Sequence, residues 1–149
     1  MKKKILILAL VLVGITGFSF AADVPGVNKN VIFSFSREFV NARDVKWEST
    51  KNFLKVSFNM DNMVLYAYYS SNGDLLAVSR FITPDQLPIQ LITTLKKQYP
   101  EYWISDLFEI HAEDGTSYYI TLENSLQKKV LKSVDANSWT TFKTEKKED

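Results

Sequence analysis

The sequence predicts an α+β protein in which two helix-plus-antiparallel-strand repeats, in the order α-β4-α-β4, pack their helices on one face of an antiparallel sheet. Three observations predict it. Val31, Phe35 and Phe39, and again Leu91, Leu95 and Tyr99, recur at i, i+4, i+8, the stripe of a half-buried helix. Each stripe is followed by runs in which apolar and polar residues alternate, with Asp, Asn and Gly at the breaks. Finally, a shift of 60 lays the first stripe on the second, and a shift of 64 lays Phe58, Asn72-Gly73 and Leu76 on Leu122, Ala136-Asn137 and Thr140. Repeat one then spans about residues 28–82 and repeat two about 83–144.

The elements follow in chain order. "MKKKILILALVLVGITGFSFA" has a basic start at Lys2 to Lys4, an apolar run from Ile5 to Ile15, and small residues Ser19 and Ala21 before Ala22. That is the pattern of a secretory signal peptide, residues 1–21. The run is short for a span of ~20 apolar residues, which argues against a membrane anchor. The remainder, residues 22–149, reads as one domain. "DVPGVNKN" is an extended lead-in, and Asn28 or Asn30 can cap the first helix, which should end near Asn41-Ala42. Strands follow in "DVKWES", "FLKVSFNM", "MVLYAYYS" and "DLLAVSRF". The Asp61-Asn62 pair predicts a tight turn, and Asn72-Gly73 predicts a two-residue type I′ hairpin. Thr83-Pro84-Asp85-Gln86 has capping-box spacing, Pro88 suits the start of a second helix, and Pro100 stops it. The second β block comprises "WISDLFEIHAE", a turn at Asp114-Gly115, "SYYITLE", "KKVLKSVD" and "WTTFKT".

Composition narrows the function. Removal of residues 1–21 takes three of the 18 basic residues and no acid, so 15 basic and 17 acidic residues remain, a net charge of −2. A near-neutral chain with interspersed signs has no electrostatic reason to bind nucleic acid or an anionic membrane. There is no Cys, so the fold is independent of the redox state of a periplasm or an extracellular medium.

At this point a family pattern emerges. A signal peptide, "EFVNARDVKWE", the "SSNGDLLAVSRFIT" turn and strand, Leu87-Pro88, and "YPEYWI" closing the second helix occur in an order similar to that of the PepSY-like, β-lactamase-inhibitor-like exported proteins of Bacteroides-type bacteria. The resembling stretch covers roughly residues 31–135. Trp47, Asn72 to Leu76, Tyr99-Pro100 and Tyr102 carry it. The resemblance implies helices on one face of antiparallel sheet, an extended sheet surface, and binding or inhibition rather than catalysis. It brings no catalytic motif and no inhibitory residue that maps onto this chain.

The residue inventory points the same way. A cysteine nucleophile is impossible, and His111 is the single histidine. A zinc site would need carboxylates alone to complete it. Glu109, Glu113 and Asp114 lie close in sequence without the spacing of a Ca²⁺ loop. Beyond the signal peptide the glycines are Gly26, Gly73 and Gly115, isolated and too few for a phosphate-cradling loop or a nucleophile elbow. The expectation is therefore no catalytic residue, no metal and no cofactor.

Aromatics are the remaining signal, at 13% of the chain. Alternation puts Tyr66 and Tyr68 on one side of their strand and Tyr118 and Tyr119 on opposite sides of theirs. Where helices cover one sheet face, some of these rings must stand on the other. Tyr66, Tyr68, Tyr119 and Trp139 are the candidate binding residues on an open sheet face, although such rings also stabilise a sheet as cross-strand pairs. Trp47 and Phe58 belong to the core, Trp103 is open to either role, and Trp139 can equally be a lid over the core. The function expected is a non-catalytic periplasmic or secreted protein-binding module whose partner is another exported protein, with inhibition of an exported hydrolase or peptidase as the finer reading. The alternatives are a small-ligand carrier with an apolar pocket between helix and sheet, and a homodimer paired through edge strands.

Overall fold

A computed structural model describes residues 27–147 of the chain. The expected signal peptide lies outside the described residues. Helix α1 (Lys29–Glu38) starts at Asn28, whose Oδ1 accepts the Val31 N–H at 3.1 Å, so the cap is Asn28 and not Asn30. Four strands follow: β1 (Arg43–Ser49), β2 (Leu54–Met60), β3 (Met63–Tyr69) and β4 (Leu75–Phe81). A single 3-10 turn (Pro84–Gln86) leads through Pro88 into α2 (Ile89–Gln98). Gln86 Oε1 accepts the Thr83 N–H at 2.9 Å, which holds that turn. The chain then forms β5 (Trp103–Ala112), β6 (Gly115–Glu123), β7 (Gln127–Ser133) and β8 (Thr140–Lys146).

The two-repeat α+β reading is corrected by the strand pairing. All eight strands form one antiparallel sheet in simple sequence order, β1 to β8. β4 joins β5 through five paired positions, from Ala77 opposite Ala112 to Phe81 opposite Phe108, so the ladder runs unbroken past the expected repeat boundary. Two separate four-stranded units would each expose an additional edge of unpaired N–H and C=O groups, and the central pairing removes both. The described residues are thus mostly eight-stranded antiparallel sheet, with two helices of ten residues each as minor additions.

Turn chemistry also differs from expectation. Asp61 and Asn62 both have positive φ, 50° and 61°, between the paired residues Met60 and Met63. The two-residue turn with two left-handed positions is therefore β2–β3. At β3–β4, Gly73 alone takes positive φ, 96°, in a longer loop closed by the Ser70 N–H to Asp74 O bond. That loop docks on α1: Asn28 Nδ2 donates to Ser71 O at 2.7 Å, while a Cβ on Gly73 would stand 3.2 Å from the Asn30 carbonyl carbon.

Three apolar clusters hold the sheet. Val31 and Phe35 of α1 pack on Leu54, Val56, Phe58, Leu65, Ala67 and Tyr69 of β2 and β3. Leu91 and Leu95 of α2 pack with Leu107, Ile120, Leu122, Leu131 and Trp139. Both clusters lie on one face, the helical face. The third lies on the opposite, open face and includes Phe53, Tyr68, Phe108, Ile110 and Tyr119. At the far end of the sheet Asp135 orders the β7–β8 loop by accepting the N–H groups of Asn137 and Ser138 at 2.9 and 3.0 Å.

Gly73→Ala should destabilise the fold by about 1–3 kcal/mol in a denaturant titration, since it adds both left-handed strain and a close approach to α1. Asp135 supplies an acid-side test. The backbone N–H groups of Asn137 and Ser138 hold its carboxyl down at about 2, below the ordinary 3.8. Its contribution is therefore fully present above the ordinary value and lost as pH falls toward 2. Asp135→Asn should flatten the pH dependence of unfolding in that window and leave it unchanged at neutral pH.

Candidate functional site

Strand alternation and register build the open face row by row. Tyr66 stands opposite Ser57 on β2 and Ser79 on β4. Tyr68 stands opposite Lys55 and Ala77. On the other half, Phe81 pairs with Phe108, Phe108 with Tyr119, and Tyr119 with Lys132. The rings touch across strands: Tyr66 to Phe81 at 6.0 Å, Phe81 to Phe108 at 6.1 Å, both edge-to-face, then Phe108 stacked on Tyr119 at 5.2 Å. Phe142 of β8 meets Tyr119 edge-on at 5.9 Å. Lys55 Nζ lies 5.1 Å from the Tyr66 ring centre and Lys132 Nζ 5.2 Å from that of Tyr119. The result is one aromatic row crossing the middle of the sheet with an ammonium on each flank.

Neither described helix packs on this face, yet its centre is dry. Tyr68 is 1% exposed and Tyr119 2%. Interruptions of register in β1–β2, β3–β4, β5–β6 and β7–β8 bend the strands, and the aromatic rings cover one another. Phe53, just before β2, closes one end against Tyr68 at 5.6 Å. Tyr68 buries a hydroxyl there, and the Ser79 Oγ at 3.2 Å satisfies it. Burial pushes the Tyr68 phenol up to about 12, with the Ser79 bond opposing as a smaller effect.

The candidate residues therefore separate. Tyr66 is half-buried and stands in the row beside Phe81. Tyr68 and Tyr119 lie in the row's dry floor. Trp139 is on the other side of the sheet, 9% exposed, where its Nε1–H donates to Leu91 O at 3.1 Å and locks α2 in place. Sequence reasoning passed over the most prominent ring: Phe81 is 53% exposed at the centre of the row. Alternation through Ala77, Ser79 and Phe81 was the available signal, but only register shows that these residues share a face with Tyr66. Val64 and Trp103 are also exposed at that end of the face, and Lys147 Nζ sits 4.8 Å over the Trp103 ring.

Comparison with known proteins places the fold. No protein-family model and no curated protein matches the chain, whereas solved structures match over most of its length. A BLIP-like protein from Bacteroides fragilis superposes with a TM-score of 0.70 at 17% identity, over 82% of this chain and 89% of that one. A DUF2874 family protein from Bacteroides ovatus gives 0.72 at 15% identity, over 84% and 89%. A candidate periplasmic protein from Bacteroides eggerthii gives 0.71 at 9% identity, over 80% and 88%. At such identities the likeness is one of fold. It agrees with the BLIP-like part of the expected resemblance, and the PepSY-like part finds no support among these neighbours.

The expected acidic and histidine candidates lie elsewhere. Glu109 and His111 are on the helical face, in a polar seam between the two helical clusters. Glu109 Oε1 accepts from Arg80 Nε at 2.6 Å and lies 3.2 Å from His111 Nε2, and Thr116 Oγ1 stands 2.8 Å from His111 Nδ1. This chain satisfies a carboxylate that is almost fully buried. Among the described residues there is no group of three or more His, Asp and Glu that could hold a metal ion.

The dry floor makes a pH prediction. The folded value of Tyr68 is raised above the ordinary 10.0, so its contribution to stability is present below pH 10 and lost as pH rises toward 12. An ultraviolet phenolate titration of Tyr68→Phe should lose one late-ionising group relative to the parent, and the variant should unfold at higher alkaline pH.

Proposed function

We propose that this protein is a non-catalytic binding module of the periplasm or extracellular space, formed by a single domain, residues 22–149, released from a signal peptide. It engages another exported protein through its open sheet face. The observation that carries the reading is Phe81, a half-exposed ring set between half-buried Tyr66 and buried Phe108. Large rings on a rigid base lose little entropy on binding, and anchors of this kind surrounded by buried support dominate interface energetics. Tyr66 and Phe81 make the contact, while Tyr68 and Tyr119 hold the rings from beneath. The shared fold with a BLIP-like protein supports a protein partner, and inhibition of an exported hydrolase or peptidase is the specific form it takes here. Location is supported by the candidate periplasmic neighbour. No described helix is long and apolar enough to cross a membrane.

The space between helices and sheet favours this reading over a small-ligand carrier, because Val31, Phe35, Leu91 and Leu95 fill it against the strands. A shallow concavity does lie at one end of the sheet, but polar groups of Asn41, Arg43, Asp61 and Asn62 line much of it.

A pull-down of exported proteins, followed by an activity assay on any retained hydrolase, tests the proposal. Phe81→Ala should weaken capture at least tenfold, about 1.4 kcal/mol, with a midpoint of unfolding close to the parent's. Tyr68→Ala should instead cost about 3 kcal/mol or more of stability, in line with loss of a buried aromatic. Capture that is indifferent to Phe81→Ala and Tyr66→Ala in folded protein excludes this face as the binding surface.

A further inference from the structure

The charge pattern around the aromatic row points to the kind of segment it receives: we propose an acidic protein loop with an apolar tip. This inference rests on the reading of the open face as a docking surface. Cross-strand pairing sets six lysines and Arg43, with five carboxylates, Asp44, Glu48, Asp106, Glu123 and Glu145, on that face or at its border. Three of the carboxylates are already committed. Glu48 pairs with Lys55 at 3.6 Å, Glu123 takes both Lys128 and Lys147, at 3.8 and 2.9 Å, and Glu145 pairs with Lys143. Lys46 and Lys132 have no ion pair among the described residues, so the face carries a surplus of positive charge.

One unpaired lysine stands toward each end of the row: Lys46 opposite Ser57, which faces Tyr66, and Lys132 opposite Tyr119. Along the row the order is Lys55, Tyr66, Phe81, Phe108, Tyr119, Lys132, with the exposed ring inside and an ammonium at each end. The ammoniums lie near Tyr66 on β3 and Tyr119 on β6 but their side chains are rooted on β2 and β7, so they stand three to five strand spacings apart, ~14–24 Å at ~4.8 Å each. An extended segment rises ~3.4 Å per residue and covers that span in about four to seven residues. A loop that seats an apolar side chain on Phe81 therefore brings residues on either side of it over Lys55 and Lys132. A carboxylate meets the unpaired Lys132 at one end and, at the other, Lys55 with Glu48 beside it and the unpaired Lys46 next to them, while basic residues meet a net positive flank and are disfavoured.

The test is a phage-displayed library of cyclic peptides with randomised loops, selected on the exported protein. Expected are loops with an aromatic or aliphatic residue flanked by Asp or Glu about four to seven positions apart. Their binding should fall at least tenfold with Phe81→Ala and at least fivefold with Lys55→Glu/Lys132→Glu, and should weaken with added salt. Enriched loops that need Phe81 but carry no acidic excess overturn the acidic-loop inference and leave the docking face standing. Loops that ignore Phe81→Ala, or no enrichment on folded protein, overturn both.

Discussion

The described fold follows from a sheet that has two apolar faces, one of which its two described helices cover. Eight strands in sequence order present side chains alternately to either side, and the two ten-residue helices both lie on the same side. Water must be kept from the other face by something else. The chain solves this with rings. Phe53, Tyr68, Phe108 and Tyr119 bury one another where no helix reaches, and aromatic pairs add to plain burial through their edge-to-face and offset-stacked contacts. A face that is dry in its centre needs no partner to be stable.

The same constraint explains why the helices sit where they do. A helix this short is marginal by itself and depends on docking. α1 is held by its cap residue, since Asn28 both satisfies the helix N-terminus and bonds Ser71 in the β3–β4 loop. At its other end, Tyr69 donates its hydroxyl to Glu38 at 3.0 Å. α2 is held by Trp139, whose indole N–H reaches a carbonyl within the helix. Between the two clusters no helix covers the helical face, and there the side chains turn polar, as the Arg80–Glu109–His111 chain shows. Each half of the sheet is thus finished differently, while the hydrogen-bonded ladder makes them one body.

Much of the local structure was legible in the sequence, because its signals are local. The stripes of α1 and α2, the positions of the eight strands and the cap at Asn28 depend on residues within a few positions of one another. The architecture was not, because whether β4 pairs with β5 is a matter between segments some thirty residues apart, and pattern similarity between halves suggested two units where pairing makes one. Turn type failed for a related reason. Asn72-Gly73 carries the stronger turn signature, yet docking of that loop on α1 holds it to a wider closure, while the less conspicuous Asp61-Asn62 takes the two-residue form. Among the candidate site residues, Tyr66, Tyr68 and Tyr119 do share a face with one another. Trp139 does not, because its side is decided by the loop that Asp135 orders rather than by strand alternation.

Phe81 shows what sequence alone could not rank. Its exposure comes from its place at the last position of β4, where the chain turns away toward Thr83 and no later side chain covers it. An exposed phenylalanine at a strand end is ordinary; one seated against Tyr66 and Phe108 is not, because its neighbours fix its position before any partner arrives. Preorganisation of this kind lowers the entropic cost of association. Rigid support and an exposed tip together leave most of the Phe81 ring outside the core that its neighbours form. The two buried tyrosines lie inside that core.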